Sequence, residues 1–270
     1  MNRILRMMVP VWMLALLLCG CGGAGSTVSR STVDSTERQF TAPADGDFIA
    51  IFSTSLGEIR AVLYPDAAPM AVQNFVGLAR GGYYDNTVIW RVEEGFVVQG
   101  GDAGGTGTGG ATIWSNNPYP LEASSSLRHY AGALCAAFAT GGDVQGGNSQ
   151  FYFVTALPDS VGKEMQQQLR DNGYTDEQVS AYAAAGGLPY LDNTDTVFGQ
   201  IYEGMEVADA MAAVPTVRNE DGTESSTPED PITIYKVTID NYPGPSTEES
   251  AAWLTPEAST QATPEPTPES

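Results

Sequence analysis

Three short segments hold the charged, polar and aromatic side chains that could do chemistry. They are Trp90-Arg91-Val92 running into Gly95–Asp102, then Gly147–Phe153, and Val197–Gln200. The guanidinium of Arg91 stays charged and donates hydrogen bonds in a rigid fork, which suits it to stabilise an electron-rich atom. An arginine on a strand is more often solvated or paired with a carboxylate, so the role of Arg91 depends on the segments around it.

Other candidate sites carry weaker signals. The glycine run Gly100–Gly110 lacks the Gly-Lys-Ser/Thr ending of a phosphate-binding loop, and we interpret it as a tight surface loop. His129 is the single histidine and has no second ligand nearby, so we expect a hydrogen-bonded structural residue rather than a zinc ligand. The oxygen cluster of Asp192, Asn193 and Asp195 could bind calcium, but the full ligand spacing is absent and a turn is favoured. The sequence predicts no metal and no cofactor.

The elements that must position these side chains are mostly short strands. The pattern predicts strands over 48–53, 59–64, 87–92, 96–99, 133–138, 151–155, 196–201 and 232–239. A helix is predicted to begin at Pro69, with apolar residues at helical spacing from Val72, and a shorter helix over 205–213. Many short strands whose few helices do not alternate with them argue against a βαβ sheet and favour a closed antiparallel barrel. We therefore predict a mainly β fold.

The predicted domain covers residues 47–242 and contains a helical insertion at about 157–189. Within the insertion, Thr175 and Gln178 have the spacing of a helix capping box. The insertion could pack on the barrel, cover a groove or bind a partner. Slipped alternation at Tyr235-Lys236 indicates a β-bulge in the last strand. Cys135 lies in an apolar run and is better interpreted as a core residue than as a nucleophile.

Composition excludes some classes of partner. The chain has 33 Asp and Glu against 12 Lys and Arg, for a formal net charge of -21. Nucleic-acid binding is not expected, because affinity for phosphates depends on clustered basic side chains. Attachment to an anionic membrane surface through basic residues is excluded for the same reason.

Both ends are predicted to lie outside the domain. Residues 1–20 have the positive start and short apolar run of a signal peptide, and Leu18-Cys19-Gly20-Cys21 looks like a bacterial lipobox. We expect lipid attachment at Cys21 and a location on the extracytoplasmic face of the cell membrane; an ordinary secretory signal is the alternative. Residues 21–46 are predicted to be a flexible linker, and the Pro/Thr/Glu-rich residues 243–270 a disordered tail.

Taken in order, with the loop Gly104–Gly110 between them, the three segments resemble the cyclophilin family of peptidyl-prolyl isomerases over nearly all of residues 47–242. The resemblance implies an eight-stranded antiparallel barrel capped by two helices, with a substrate groove on one outer face. It also implies cis/trans isomerisation of X-Pro bonds in polypeptide substrates. Twisting the amide costs about 20 kcal/mol of resonance, and a fixed cationic donor to the pyramidal prolyl nitrogen stabilises the twisted state.

The resemblance assigns roles to individual residues. Arg91 matches the catalytic arginine, and Gln99 matches the glutamine that bonds the substrate backbone and fixes the arginine. Phe96 and Tyr152 match the aromatic floor of the proline pocket, and Leu191 matches an aliphatic wall. The remaining matches lie along the groove and comprise Ala137, Phe138 and Ala139 on a strand edge, together with Gln150.

Four residues depart from the family's pattern. Trp90 replaces a histidine, Phe138 an asparagine, Asp195 a histidine at the pocket rim, and Tyr190 the tryptophan associated with cyclosporin binding. These changes leave the arginine and the glutamine in place, so we predict that activity is retained and that subsite preference differs. The functional prediction is an isomerase that accelerates folding of exported proteins. The alternative is a weakly catalytic module that binds proline-containing segments as a chaperone or assembly factor.

Overall fold

The computed structural model of this 270-residue chain describes Arg30 and residues 32–139, 146–218 and 224–243, with the backbone alone for Ala139 and Glu224. The predicted signal peptide, the predicted lipidation site Cys21 and the predicted tail beyond Pro243 lie outside the described residues.

A nine-stranded antiparallel sheet forms a nearly closed barrel, and a two-stranded hairpin stands beside it. The strands are β1 (Phe48–Thr54), β2 (Gly57–Leu63), β3 (Thr87–Ile89), β4 (Arg91–Glu93), β5 (Val97–Gly100), β6 (Ala133–Ala139), β7 (Gly146–Val154), β8 (Thr196–Glu203), β9 (Thr216–Arg218), β10 (Glu224–Pro228) and β11 (Ile232–Asn241). The sheet runs in the order β3-β11-β1-β2-β8-β6-β7-β5-β4, and the hairpin consists of β9 and β10.

The strand predicted over 87–92 is divided at Trp90. Its first half, β3, pairs with β11, and its second half, β4, pairs with β5. The backbone N–H of Trp90 donates to the carbonyl of Gln99 at 3.1 Å. One bent segment therefore supplies both edge strands of the sheet. The predicted mainly β antiparallel barrel is confirmed, with nine strands rather than eight because of this division.

Within the described residues, four α-helices accompany the sheet, namely α1 (Pro69–Arg80), α2 (Lys163–Asp171), α3 (Asp176–Ala185) and α4 (Met205–Ala212). The first begins at Pro69, as predicted, and buries Val72, Phe75 and Val76 in the barrel core. The fourth buries Met211 in the same core. These two helices are the predicted caps, since their apolar faces cover the residues that line the inside of the sheet.

The insertion packs through a small core of its own, in which the rings of Tyr130 and Tyr182 lie 4.4 Å apart. Helix α3 begins with the predicted capping box between Thr175 and Gln178. A second local prediction is also confirmed, because the pairing of β1 with β11 shifts by one residue at Tyr235, which bulges out. In the described ranges, no helix has the length and apolar character needed to cross a membrane.

Arg30 and residues 32–46 lie against the domain, and we call them the N-terminal segment. The guanidinium of Arg30 donates to both carboxylate oxygens of Asp209, at 2.8 and 2.7 Å. Gln39 is buried and its amide donates to the side-chain oxygen of Gln200 at 2.8 Å. This part of the chain differs from the flexible linker predicted for residues 21–46. The polar composition of this segment gave no indication of contacts with the domain, because Asp209 and Gln200 lie far away in the sequence.

Candidate active site

Arg91 and Gln99 face each other across the paired strands β4 and β5. The Nη1 group of Arg91 donates to Oε1 of Gln99 at 3.0 Å. The arginine side chain keeps 29% of its surface exposed, whereas Gln99 is buried. Arg91 is therefore a partly exposed, charged donor, and the buried Gln99 holds it in place through a hydrogen bond.

The hydrogen bonds that hold Arg91 continue from Gln99 into the glycine loop. Nε2 of Gln99 donates to Oε1 of Gln150 at 3.1 Å. In turn, Nε2 of Gln150 donates to the carbonyls of Gly107 and Gly109, at 3.0 and 2.7 Å. Because each amide donates at one end and accepts at the other, the orientation of both glutamines is determined. Gln150 thus acts on the site through Gln99.

The glycine loop is built around the buried carboxylate of Asp102. Backbone N–H groups of Gly104, Thr106 and Gly107 donate to it at 2.8–3.0 Å. Burial raises the pKa of Asp102, but the donated hydrogen bonds outweigh burial and hold it below its usual value. At Gly107, where φ is +78°, a Cβ atom would lie 2.7 Å from the Trp90 ring. The loop is therefore a closed turn around the Asp102 carboxylate, in agreement with the tight loop predicted from the missing lysine.

The residues predicted to line the proline pocket meet in one apolar cluster with Ala137, which was predicted on the adjoining strand edge. Phe96, Ala137 and Leu191 pack, partly exposed, against a buried group that includes Tyr152. The Arg91 Cζ atom lies 5.4 Å from the centre of the Phe96 ring. Tyr152 is directly opposite Gln99 in the pairing of β5 with β7. The charged donor and the apolar cluster are thus neighbours.

The other predicted groove residues lie at the margin of this cluster. The pairing of β6 with β8 ends at Ala136, whereas the pairing of β6 with β7 continues to Ala139. Residues 137–139 therefore extend past the end of β8 and leave that side of the strand unpaired with it. Phe138 is half-buried there.

Tyr190 and Asp195, which the resemblance places at the pocket rim, lie beside the apolar cluster. Tyr190 is 59% exposed, and partial burial together with the nearby Glu93 carboxylate raises its pKa. Asp195 accepts a 2.8 Å hydrogen bond from the Tyr152 hydroxyl. Two carboxylates therefore lie beside the cluster, Glu93 in contact with the guanidinium and Asp195 bound to Tyr152.

A sequence model of the family described as "Cyclophilin type peptidyl-prolyl cis-trans isomerase/CLD" matches residues 49–239. The chain belongs to the cyclophilin family. Its enzyme class, predicted from the motifs, is confirmed as peptidyl-prolyl cis-trans isomerase.

Known proteins similar to this cyclophilin agree in fold and name. A putative peptidyl-prolyl cis-trans isomerase of Staphylococcus saprophyticus is 41% identical over 162 residues, which are 60% of this chain and 79% of the relative. One from Staphylococcus aureus strain USA300 is 37% identical over 167 residues, which are 62% and 82% of the two chains. A crystal structure of a Cryptosporidium parvum cyclophilin in the presence of the dipeptide Ala-Pro has 25% identity and a TM-score of 0.54, over 72% of this chain and 99% of that one.

Sequence reasoning did not identify Glu93 in the site of this cyclophilin. Oε1 of Glu93 accepts from Nε and Nη2 of Arg91, at 2.9 and 2.7 Å. The same oxygen accepts from the Ser226 hydroxyl at 3.0 Å. Residues two apart on a strand point to the same face, so the spacing of Glu93 from Arg91 was an available signal. Nothing in the sequence indicated Ser226.

The remaining polar candidates of this cyclophilin have structural partners. The Nδ1 atom of His129 lies 2.9 Å from Oδ1 of Asp192, whose other oxygen accepts from the hydroxyls of Tyr174 and Tyr182. Cys135 is fully buried, and burial raises the pKa of its thiol, which makes it a core residue. Among the described residues, no three His, Cys, Asp or Glu side chains are arranged to hold a metal ion.

Proposed function

We propose that this isomerase accelerates the folding of exported proteins at the extracytoplasmic face of the cell membrane, with Arg91 as its catalytic donor. The observation that carries the catalytic assignment is the Arg91–Gln99 hydrogen bond at the edge of the cluster of Phe96, Tyr152 and Leu191. A proline ring placed on that cluster brings its nitrogen close to a fixed guanidinium.

In the proposed mechanism, no side chain forms a covalent bond with the substrate. The enzyme acts by placing a charge close to the prolyl nitrogen. Rotation about an X-Pro bond removes amide resonance, at a cost of about 20 kcal/mol, and returns a lone pair to the prolyl nitrogen. A guanidinium N–H that bonds this nitrogen stabilises the twisted state more than either planar state, and therefore lowers the barrier. The apolar cluster excludes water on one side of the ring, which strengthens that hydrogen bond.

Gln99 has two tasks in this proposal. Its Oε1 atom fixes Arg91, and one Nε2 hydrogen bonds Gln150. The amide carries a second Nε2 hydrogen, which we assign to a carbonyl oxygen of the substrate backbone. The substrate chain is proposed to run along Ala137, Phe138 and Ala139, where the hydrogen-bonding edge of β6 extends past β8.

The rim of the pocket is proposed to determine substrate preference. Tyr190 and Asp195 stand on either side of Leu191 in the sequence and differ in type from the tryptophan and histidine of the family pattern. A carboxylate at Asp195 favours substrates with basic or neutral side chains near the proline over acidic ones.

Activity of the full-length chain on a panel of X-Pro peptides tests the catalytic assignment. We expect Arg91→Ala to lower kcat/KM about a hundredfold, as loss of a donor to the transition state does, while Arg80→Ala, an exposed arginine at the end of α1, leaves it unchanged. If Arg91→Ala is as active as the unmodified chain, the assignment is wrong. If the unmodified chain binds the peptides without turnover, the protein is instead a binding module.

The membrane location is proposed from the lipobox-like Leu18-Cys19-Gly20-Cys21 alone. Two or three acyl chains on Cys21 give firm attachment, since each buried methylene contributes about 0.8 kcal/mol. We expect Cys21→Ala to move the protein from the membrane fraction to the soluble fraction, and Cys19→Ala to leave it at the membrane. Unchanged partitioning of Cys21→Ala would contradict the proposal.

A further inference from the structure

We propose that Glu93 is a positioning residue that determines which edge of the Arg91 guanidinium faces the substrate. The inference rests on the proposed catalytic role of Arg91. It starts from the contacts of one oxygen atom, Oε1 of Glu93, which accepts from Nε and Nη2 of the arginine at 2.9 and 2.7 Å.

Glu93 and Gln99 hold the guanidinium from different nitrogens. Gln99 binds Nη1, and Glu93 binds Nε and Nη2, so that each of the three nitrogens has one hydrogen bond. A guanidinium has five N–H groups, and these contacts use three of them. The two that remain belong to Nη1 and Nη2, at the outer end of the side chain. The Nε–H edge is occupied by Glu93 and is withheld from the substrate.

Glu93 is itself fixed by the hairpin of β9 and β10. The Ser226 hydroxyl on β10 donates to the same Oε1 atom at 3.0 Å. Ser226 lies 133 residues from Glu93 in the sequence, in a hairpin outside the barrel sheet. This contact is the only role that the described hydrogen bonds assign to the Ser226 side chain. The hairpin therefore supports the active site through Glu93.

Glu93 affects catalysis by orienting Arg91, and the strength of the ion pair itself is of little importance. The Arg91 and Glu93 side chains are 29% and 38% exposed, and a pair this open contributes little to stability. Rotating a hydrogen-bond donor away from the prolyl nitrogen, in contrast, weakens an interaction that is made in the twisted state alone. Loss of Glu93 should therefore lower kcat more than it raises KM.

Three single variants of the full-length chain separate orientation from charge. We expect Glu93→Ala to lower kcat about tenfold with little change in KM, and Glu93→Gln to retain most of the activity, because an amide oxygen can accept the same hydrogen bonds. Glu94→Ala removes one negative charge from the exposed neighbouring residue and should leave kcat unchanged. If Glu93→Gln loses as much activity as Glu93→Ala, or if Glu93→Ala is as active as the unmodified chain, the proposal is wrong.

A readout that does not require turnover distinguishes failure of this inference from failure of the proposed function. Solvent exchange of the Arg91 Nε–H, measured by NMR, should be slow in the unmodified chain and at least about tenfold faster in Glu93→Ala. Ser226→Ala, which leaves Glu93 in place, should give an intermediate rate. Equal exchange in Glu93→Ala and the unmodified chain overturns the proposal even if the protein shows no isomerase activity.

In an Arg91→Ala background, Glu93→Ala should cause no further loss of kcat; an additional loss would show that Glu93 does not act through Arg91.

Discussion

The hydroxyl of Tyr152 donates a 2.8 Å hydrogen bond to Oδ2 of Asp195, which joins the floor of the apolar cluster to its rim. Burial raises the pKa of Asp195 above its ordinary value of 3.8, although the hydrogen bond from Tyr152 and the proximity of His129 act in the opposite direction. The carboxyl group of Asp195 therefore binds a proton more tightly in the folded protein than in the unfolded chain. Ionised Asp195 costs free energy at neutral pH.

The first prediction concerns the pH dependence of this cost. Because the pKa is raised in the folded state, the contribution of Asp195 to the free energy of unfolding falls as pH rises from about 3.8 through the folded pKa. We expect Asp195→Asn, whose amide oxygen still accepts from Tyr152, to melt at a higher temperature than the unmodified chain at pH 7, and the difference to shrink towards pH 4. Thermal unfolding between pH 4 and 8 measures both. The control is Asp230→Asn, which removes one negative charge from an exposed residue; a lower melting temperature of Asp195→Asn at pH 7 would refute the prediction.

The second prediction concerns the buried support of Arg91, the proposed catalytic donor. Gln99→Ala removes the acceptor of Arg91 Nη1 and leaves Oε1 of Gln150 without its donor. We expect kcat/KM to fall about tenfold and the free energy of unfolding to fall by about 1–3 kcal/mol. Peptide isomerisation assays and urea denaturation measure the two effects. Full activity in a folded Gln99→Ala variant would show that Arg91 is positioned without it.

A third prediction concerns the attachment of the N-terminal segment. The Arg30 and Asp209 side chains are only 17% and 8% exposed, so Arg30→Ala leaves a carboxylate buried without its partner. We expect a loss of about 3 kcal/mol in the free energy of unfolding. The matched control is Arg170→Ala, because its pair with Asp176 is 40% and 87% exposed and should contribute less than about 1 kcal/mol. Urea denaturation of the two variants decides the matter, and equal stabilities would contradict the prediction.

The fourth prediction concerns the hydrogen bonds that hold the insertion. Oδ2 of Asp192 accepts from Tyr174 and Tyr182, both at 2.8 Å. Tyr182 is fully buried and Tyr174 half-buried, so Tyr182→Phe should cost about 1–2 kcal/mol and Tyr174→Phe less. In the double variant, hydrogen exchange should accelerate in α3 while the barrel strands keep their protection. Acceleration throughout the barrel would show that the insertion does not open separately.

Local patterns in the sequence predicted the parts of the fold that depend on neighbours in the chain. The start of α1 at Pro69, the capping box at Thr175 and the bulge at Tyr235 all follow from residue spacing, and all are present. The division at Trp90 of the strand predicted over 87–92 does not follow from local spacing, because β3 and β4 pair with strands at opposite ends of the sheet.

The candidate site shows the same division between local and distant contacts. The residues that the family resemblance assigned to the site lie beside one another, because they are on paired or adjoining segments; they are Arg91, Gln99, Phe96 and Tyr152. Contacts between residues far apart in the sequence were missed. Within the site, Glu93 and Ser226 are separated by 133 residues, and no local pattern connects them. The same holds outside the site for Arg30 and Asp209, which are 179 residues apart.

The attachment of Arg30 to Asp209 limits how far the enzyme can work from its proposed anchor. A free chain from Cys21 to residue 46 would reach about 90 Å at full extension, but from Cys21 to Arg30 the chain reaches only about 30 Å. With a lipid on Cys21, the point of attachment on the barrel stays within about one domain diameter of the bilayer. Clients that emerge from the membrane would then meet the groove during translocation, whereas proteins diffusing deeper in the surrounding compartment would have to return to the surface.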